Sequence, residues 1–419
     1  MSSKLSLKQN MLWNSVGSVI RLCCNYLITI AVVRFSHGFD AAGGLALAMS
    51  ISSLVQPVAE FRLRTIQVTD VQNELKTGEY LGLRLVSTTL AFALGIAYSL
   101  ITCSLQSLPV IVLYLIYSMA VNLIEGFHAI DQKHLRMDFI GISYIIQGVS
   151  SLLLFIITLS VTNSLEAAVG VIAIANIMVL FLYDKKKASL LELIKLKLNL
   201  NKSIKVLLSL TPIVLAQICS SSVLTIPKQA LAASFGAAAL GIYSSVASPA
   251  TIVQMGAGYI YSPLLGEFAA RFNEDRRKGL RLLKKVVVYI SAATFGLSVL
   301  LLVFTRPILT ILFGSKIIAY TNLLGMVLIC TYFTAFAWFF NDLLLSIRDF
   351  RGSFFGNIAA SAMSILLSFI LVPQLGMNGV SLTGALSYGL ALVFMLAFFV
   401  NDYHKICLLY TSDAADEAR

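Results

Sequence analysis

The chain has 419 residues, of which 58% are hydrophobic and 12% are charged, and its formal net charge at pH 7 is +11. This composition leaves too little polar surface to cover a soluble globule of that size, so it excludes an ordinary soluble enzyme or binding domain. It also excludes nucleic acid as a partner, because the basic residues are spread over short connections and share no face with base-stacking groups. The remaining class is a protein embedded in the lipid bilayer.

Twelve apolar stretches follow one another along the chain, each close to or above the roughly 20 residues that a transmembrane helix needs. They cover residues 11–34, 41–61, 83–103, 108–126, 139–161, 165–183, 206–231, 237–264, 286–309, 321–345, 353–372 and 380–400. The pattern predicts an all-α, multi-pass membrane protein with twelve transmembrane helices.

Basic residues between these stretches fall mainly in every second connection. Of the 31 Lys and Arg residues, 25 lie in the N-terminal segment, the even-numbered connections or the C-terminal segment. The odd-numbered connections hold only Arg34, Arg306 and Lys316. Because cytoplasmic connections are enriched in Lys and Arg, both termini are predicted to be cytoplasmic.

The connection at residues 184–205 carries seven of these basic residues and is therefore expected to face the cytoplasm. A reporter that is active only in the cytoplasm should be active when inserted there and silent when inserted at residues 104–107. Activity at 104–107 but not at 184–205 would overturn the predicted orientation.

The same connection divides the chain into two sets of six stretches. Its segment LLELIKLKLNL, residues 190–200, is expected to lie as an amphipathic helix on the inner leaflet. A weak repeat relates DAAGGLALAMS, starting at Asp40, to AAALGIYSSVA, starting at Ala237. We therefore predict an N-terminal six-helix lobe at 1–183, a basic linker at 184–205 and a C-terminal six-helix lobe at 206–406. Secondary transporters are typically built in this way, with a site between the repeats.

Residues 407–419 form the last segment, and CLLYTSDAADE within it resembles the translation of a sequencing-library adapter. On this interpretation residues 407–419 are not native, and we expect the natural protein to continue past Ile406 by an unknown number of residues. A short native polar tail is the alternative.

Arg21 is the clearest candidate for function. An ionisable group inside a span costs about 2.5 to 3.5 kcal/mol on insertion scales, and Arg21 lies about 15 Å from the cytoplasmic start of the first stretch. Asn14, Ser15, Ser18 and Asn25 recur near helical spacing, so that one face of this stretch is polar. An arginine that lines a cavity fits this pattern, and a structural arginine that binds carbonyl groups is the alternative.

Other polar residues in the spans are weaker candidates. Lys228, beside Pro227, is a possible second cation, although it lies near the outer end of its span and would reach the interface easily. Three glutamines suit sugar hydroxyls, or equally bonds between helices; they are Gln56, Gln217 and Gln254. Glu125 and Asp342 lie near cytoplasmic helix ends, where ion coupling competes with a helix-cap or salt-bridge role.

Catalytic and metal motifs are missing from the sequence. It has no H-E-x-x-H, G-x-S-x-G or phosphate-binding glycine loop, and no D-x-D before residue 407. Its cysteines form no C-x-x-C pair. We therefore expect neither an enzyme nor a bound metal or cofactor.

Several motifs, taken in chain order, carry a family resemblance. They are LWNSVGS (12–18), RTIQVTD (64–70), YLGLR (80–84), DQKHLRMD (131–138), TIPKQAL (225–231), LGIYSSVASPA (240–250), WFFNDLLLSIRDFRG (338–352) and GMNGVS (376–381). This series resembles the Wzx-type flippases, which handle O-antigen and other surface-polysaccharide repeat units and belong to the multidrug/oligosaccharidyl-lipid/polysaccharide (MOP) exporter superfamily. Gln229 departs from the pattern, because an aromatic residue often stands there.

The resemblance implies a MATE/MOP-like fold, with two six-helix lobes in a V shape around a central cationic cavity. It implies that the protein moves undecaprenyl-diphosphate-linked oligosaccharides to the outer face of a bacterial inner membrane, in concert with other polysaccharide assembly proteins. We predict that Arg21 and Lys228 contact the diphosphate. Four charged residues on the matched motifs are predicted to form a cytoplasmic gate where the headgroup enters; they are Arg64, Asp70, Arg136 and Asp138.

A multidrug cation antiporter of the MATE type stays open as the alternative. It would share the two-lobed fold, but its cavity should present carboxylates to cationic drugs. The deep charge here is Arg21, which favours an anionic substrate.

Overall fold

The computed structural model describes residues 5–36, 38–70, 75–197 and 200–416, and over these ranges the chain forms helices and no strand. By their internal contacts these residues fall into two units. The first comprises Met1–Ile218 and Phe235–Ser245, and the second comprises Cys219–Ser234 and Val246–Arg419. The predicted boundaries at 183, 205 and 406 stay a prediction.

Eight helices belong wholly to the first unit. They are α1 (Leu7–Phe35), α2 (Asp40–Glu60), α3 (Leu63–Thr69), α4 (Thr77–Thr102), α5 (Leu108–Lys133), α6 (Met137–Thr162), α7 (Leu165–Val179) and α8 (Lys185–Ser189). A π-helical turn, Leu180–Asp184, joins the last two. α1 begins at a capping box, in which the Ser6 hydroxyl accepts a hydrogen bond from the Gln9 amide and the Gln9 side chain accepts one from the Ser6 amide.

The remaining helices continue from a long helix that both units share. They are α9 (Leu200–Ala247), α10 (Ala250–Tyr261), α11 (Leu265–Glu274), α12 (Arg276–Val303), α13 (Thr305–Phe313), α14 (Leu323–Ser346), α15 (Phe350–Leu375) and α16 (Met377–Asp416). The second unit has an aromatic core in which Phe268 and Phe339 are fully buried, with their ring centroids 6.0 Å apart.

Eleven helices of the described residues are long and apolar enough to cross a membrane. The stretches at 206–231 and 237–264 differ from the prediction, because α9 covers the first and the start of the second, with a non-helical Gly236 (φ 84°) between them. α10 covers the rest of the second stretch. Pro249 explains the division, since proline lacks an amide proton and disfavours helix at the residue before it.

The linker is not helical over residues 190–197, so the amphipathic helix expected at 190–200 is wrong for this part, and residues 198 and 199 lie outside the described residues. The Lys197 amide donates a 3.1 Å hydrogen bond to the Gly78 carbonyl at the start of α4, and Thr77 donates its hydroxyl to Glu192 at 2.7 Å. The first of these bonds occupies the Lys197 amide, which is then not available for a helical bond to the carbonyl of residue 193.

α1 packs closely along α6 in the first unit. A Cβ atom at Gly141 would lie 2.4 Å from the Trp13 carbonyl oxygen, and one at Gly148 would lie 2.9 Å from the Cα of Arg21. Small residues allow this approach, as is common where membrane helices cross. The crossing brings the middle of α1 next to the side chains of α6.

Candidate functional site

A sharp break after α2 positions the first residue of the site. Phe61 and Arg62 both have left-handed backbone, with φ of 41° and 51°, a conformation that non-glycine residues rarely adopt and that stores strain. The break starts the short helix α3, which packs against α5. It carries Arg64 to the α5 surface, where Arg64 Nε donates to Gln132 at 3.1 Å.

Glu125, on α5, is the centre of the site. It lies about 12 Å inside the α5 end at Lys133, at 1.5 Å per residue. One carboxylate oxygen forms an ion pair with Arg64 Nη1, and the other accepts a 2.8 Å hydrogen bond from the Tyr144 hydroxyl of α6. Arg64 also donates to that hydroxyl at 3.1 Å, which closes a triangle of three side chains from three helices.

Arg21 reaches the same carboxylate from α1. Its Nη1 atom lies 3.7 Å from Glu125 Oε1, and its guanidinium lies over the Tyr144 ring, 4.8 Å from the centroid. This ring contact is a cation–π interaction, which orients the guanidinium plane. About a fifth of the side chains of Arg21 and Glu125 is exposed, so the pair is accessible from outside the unit.

Arg84, on α4, adds a third guanidinium. Its side chain packs along Gly126, the neighbour of Glu125, and the residue is only 3% exposed. Glu125 and then Glu60 are the carboxylates whose charges act on it. We call Arg21, Arg64, Arg84 and Glu125 the arginine cluster. The cluster itself contains three arginines and one carboxylate, and Glu60 is an exposed carboxylate near Arg84.

A second polar group lies behind Glu125. His128 Nδ1 is 3.6 Å from Glu125 Oε1, and its Nε2 is 3.1 Å from Asp184 Oδ1. Asp184 lies in the π-helical turn that follows α7. This turn is wider than an α-helical turn and so changes the direction in which the side chains point, and such turns are frequent at functional sites. Asp131, one turn further along α5, is fully buried, and neither of its carboxylate oxygens has a hydrogen-bond partner among the described residues.

The residues predicted as a cytoplasmic gate do not form one group. Arg64 belongs to the arginine cluster. Arg136 and Asp138 form a bidentate pair with distances of 2.9 and 2.7 Å, and Arg136 stacks over Phe139. Asp70 accepts from the Tyr80 hydroxyl at 3.0 Å and the Leu75 amide at 3.2 Å. Their role as a gate stays a prediction.

The second unit holds the predicted residues Lys228, Gln254 and Asp342. Lys228, on α9, is half-buried, and its charge acts on the thiol of Cys330. Gln254 Nε2 is buried without a hydrogen-bond partner among the described residues. Asp342 accepts from the Tyr261 hydroxyl at 3.1 Å and from Asn341 at 3.3 Å.

The turns at α5–α6 and α14–α15 repeat one geometry. Leu135 and Arg348 are both left-handed, and the same backbone hydrogen bonds surround them. Counted from these turns, His128 and Tyr144 of the first unit correspond to Asn341 and Asn357 of the second. Asn357 donates a 2.9 Å hydrogen bond to Asn341. The two units thus share a framework, but among the described residues the arginine cluster occurs only in the first.

The predicted amides are dispersed. Gln56 donates to Glu60 at 2.5 Å and accepts from Ser118 at 3.4 Å. Asn14, Asn25 and Gln217 are half-buried in the first unit. Of the predicted substrate-binding and ion-coupling residues, only Arg21 and Glu125 meet in the cluster, and the sugar contacts of the others stay predictions.

Four residues around Glu125 were missed by the sequence reasoning; they are Arg84, His128, Tyr144 and Asp184. Arg84 could have been detected, since it is an arginine in an apolar stretch. It lies near the predicted start of that stretch, however, and we treated it as part of the preceding connection. His128 follows Glu125 by one helical turn, which is a detectable spacing. Tyr144 and Asp184 have no sequence signal that links them to Glu125. No group of three or more His, Cys, Asp or Glu residues in the described part of the chain is placed to hold a metal ion.

Comparison with protein families and curated proteins identifies one informative relative. No family model matches the chain. A Staphylococcus aureus protein described as capsular polysaccharide biosynthesis protein CapF is 24% identical over 389 residues, which are 92% of this chain and 97% of that protein.

Solved structures share the fold. An inward-facing multidrug resistance MATE family transporter of the MOP superfamily has a TM-score of 0.70 at 13% identity, and the match covers 96% of this chain and 99% of that one. The lipid II flippase MurJ, in an inward closed conformation, has a TM-score of 0.69 at 13% identity, covering 95% and 90%. The chain therefore has the fold of MOP-superfamily transporters, and the predicted all-α MATE/MOP-like fold class is confirmed.

Proposed function

We propose that the protein is a flippase that moves polyprenyl-diphosphate-linked oligosaccharides from the cytoplasmic to the outer leaflet, for surface-polysaccharide synthesis. Undecaprenyl diphosphate is the proposed carrier and the bacterial inner membrane the proposed location, with both termini in the cytoplasm. Other polysaccharide assembly proteins are proposed partners. The fold it shares with transporters and the relative described as a capsular polysaccharide biosynthesis protein support this proposal.

The arginine cluster is the observation that carries the proposal. Two guanidinium groups, those of Arg21 and Arg64, contact the Glu125 carboxylate inside the membrane-spanning part of the first unit, and buried Arg84 adds a third positive charge beside Gly126. Guanidinium groups bind phosphate oxygens in bidentate geometry. A site for cationic drugs would need the opposite balance, with more carboxylates than basic groups.

The chemistry of the proposed substrate explains why a protein is needed. Each unpaired sugar hydroxyl costs on the order of 2 to 7 kcal/mol in hydrocarbon, so the headgroup requires a polar path. The lipid tail has no such need and can stay in the bilayer. With the cytoplasm negative, outward movement of an anionic headgroup is favoured by about 2.3 kcal/mol per charge per 100 mV.

A strain that lacks the gene tests the proposal. It is expected to lose surface polysaccharide and to accumulate lipid-linked oligosaccharide on the cytoplasmic leaflet, and re-expression of the chain should reverse both effects. A strain that keeps its polysaccharide but becomes sensitive to cationic drugs would contradict the proposal and favour a multidrug antiporter.

A further inference from the structure

The arginine cluster has more hydrogen-bond donors than acceptors. A guanidinium carries five N–H donors, yet no described residue accepts a hydrogen bond from Arg21 or Arg84. Arg64 donates hydrogen bonds from only some of its N–H groups, to Glu125, Tyr144 and Gln132.

Glu125 is the acceptor that the cluster shares, and its contacts with the two partly exposed arginines are unequal. It pairs directly with Arg64, whereas Arg21 stays at 3.7 Å, beyond hydrogen-bond distance. The exposed fractions of the side chains are 20% for Glu125 and 25% for Arg64. A ligand that offers more oxygen atoms than a carboxylate can therefore reach both arginines.

We infer that Glu125 is an exchangeable counter-anion, which balances the arginine cluster when the site is empty and gives up Arg21 and Arg64 to the diphosphate of an incoming substrate. This inference rests on the proposed function. It assigns Arg64 to the same anion-binding site as Arg21, with buried Arg84 contributing charge rather than direct contacts. Tyr144 and His128 remain next to the carboxylate after the exchange, so Glu125 keeps polar partners when it loses the arginines.

Such an exchange makes binding reversible. Arginines without a counter-anion would hold a diphosphate tightly and release it slowly, because charge-assisted bidentate hydrogen bonds are strong. A carboxylate that competes for the same guanidinium groups weakens the bound state. It also avoids uncompensated buried charge after the substrate leaves. The expected cost of removing Glu125 is therefore slower turnover together with tighter binding.

Glu125→Gln tests this, because glutamine keeps the size and the bond from Tyr144 but removes the charge. Purified protein in detergent would be titrated with inorganic pyrophosphate by calorimetry at constant ionic strength. We expect the variant to bind pyrophosphate about tenfold more tightly than the wild type, since one repelling charge near 4 Å is lost. Transport in cells should fall.

Glu166→Gln is the matched control, because it removes an exposed carboxylate from the same unit, at the start of α7. Its affinity should equal that of the wild type. Glu125→Asp is the second variant, for the case in which Glu125→Gln does not fold. It keeps the charge but moves it away from the arginines by the length of one methylene group, so its affinity for pyrophosphate is expected to lie between those of the wild type and the glutamine variant.

Arg21→Ala in the same titration separates the inference from the proposed function. Weaker pyrophosphate binding by Arg21→Ala, with no gain in affinity in either Glu125 variant, would overturn the counter-anion role and leave the proposed function intact. Absence of pyrophosphate binding to the wild type would overturn both. A merely structural role for Glu125 would lower thermal stability without strengthening binding.

Discussion

Arg21→Ala should lose most of the transport activity while the protein still reaches the membrane. The substitution removes a guanidinium that we assign to the diphosphate, and hydrogen bonds to charged groups contribute about 1.5 to 3 kcal/mol each. This corresponds to a roughly ten- to 150-fold loss. Arg21→Lys should lose less, because it keeps the charge but not the bidentate geometry. Accumulation of lipid-linked oligosaccharide on the cytoplasmic leaflet of a flippase-deficient host would measure the loss.

Arg34→Ala serves as the control for this series. Arg34 is exposed near the opposite end of the same helix from Ser6, so its removal tests the effect of losing any arginine from α1. Normal transport by a well-expressed Arg21→Ala variant would return Arg21 to a structural role.

Gly141→Ala is expected to reduce both stability and transport. The added Cβ would lie 2.4 Å from the Trp13 carbonyl oxygen and 2.9 Å from its carbonyl carbon, so that α1 and α6 must move apart. Overpacking of this kind costs about 1 to 3 kcal/mol. It would also shift Arg21 from its position over Tyr144. Thermal stability in detergent and the transport assay would be measured together.

Gly296→Ala, on α12, is the matched control. No neighbouring atom lies within 4 Å of the Cβ that this substitution adds, so transport should stay at the wild-type value and stability at or slightly above it, because alanine favours a helix more than glycine does. If Gly141→Ala behaved in the same way, the close approach of α1 and α6 would be wrong.

The multi-pass helical class could be predicted from the sequence because hydrophobicity is a property of each segment alone. A helix in lipid must satisfy its own backbone and present apolar side chains, so each span is visible without knowledge of its neighbours. Arg21 was detectable for the same reason, since a charge inside an apolar stretch contrasts with its surroundings. The exceptions were local. Pro249 divided a predicted span, and in the linker the Lys197 amide bonds to α4 rather than within a helix.

The arginine cluster required the tertiary structure, because its members come from α1, α3, α4 and α5. Arg64 reaches Glu125 only through the left-handed break at Phe61 and Arg62, and Arg21 only through the close crossing of α1 on α6. Hydrophobicity determines which segments enter the membrane but not which faces meet within it. The pairing of Glu125 with arginines distant in sequence is set by packing between helices, and no single segment contains that information.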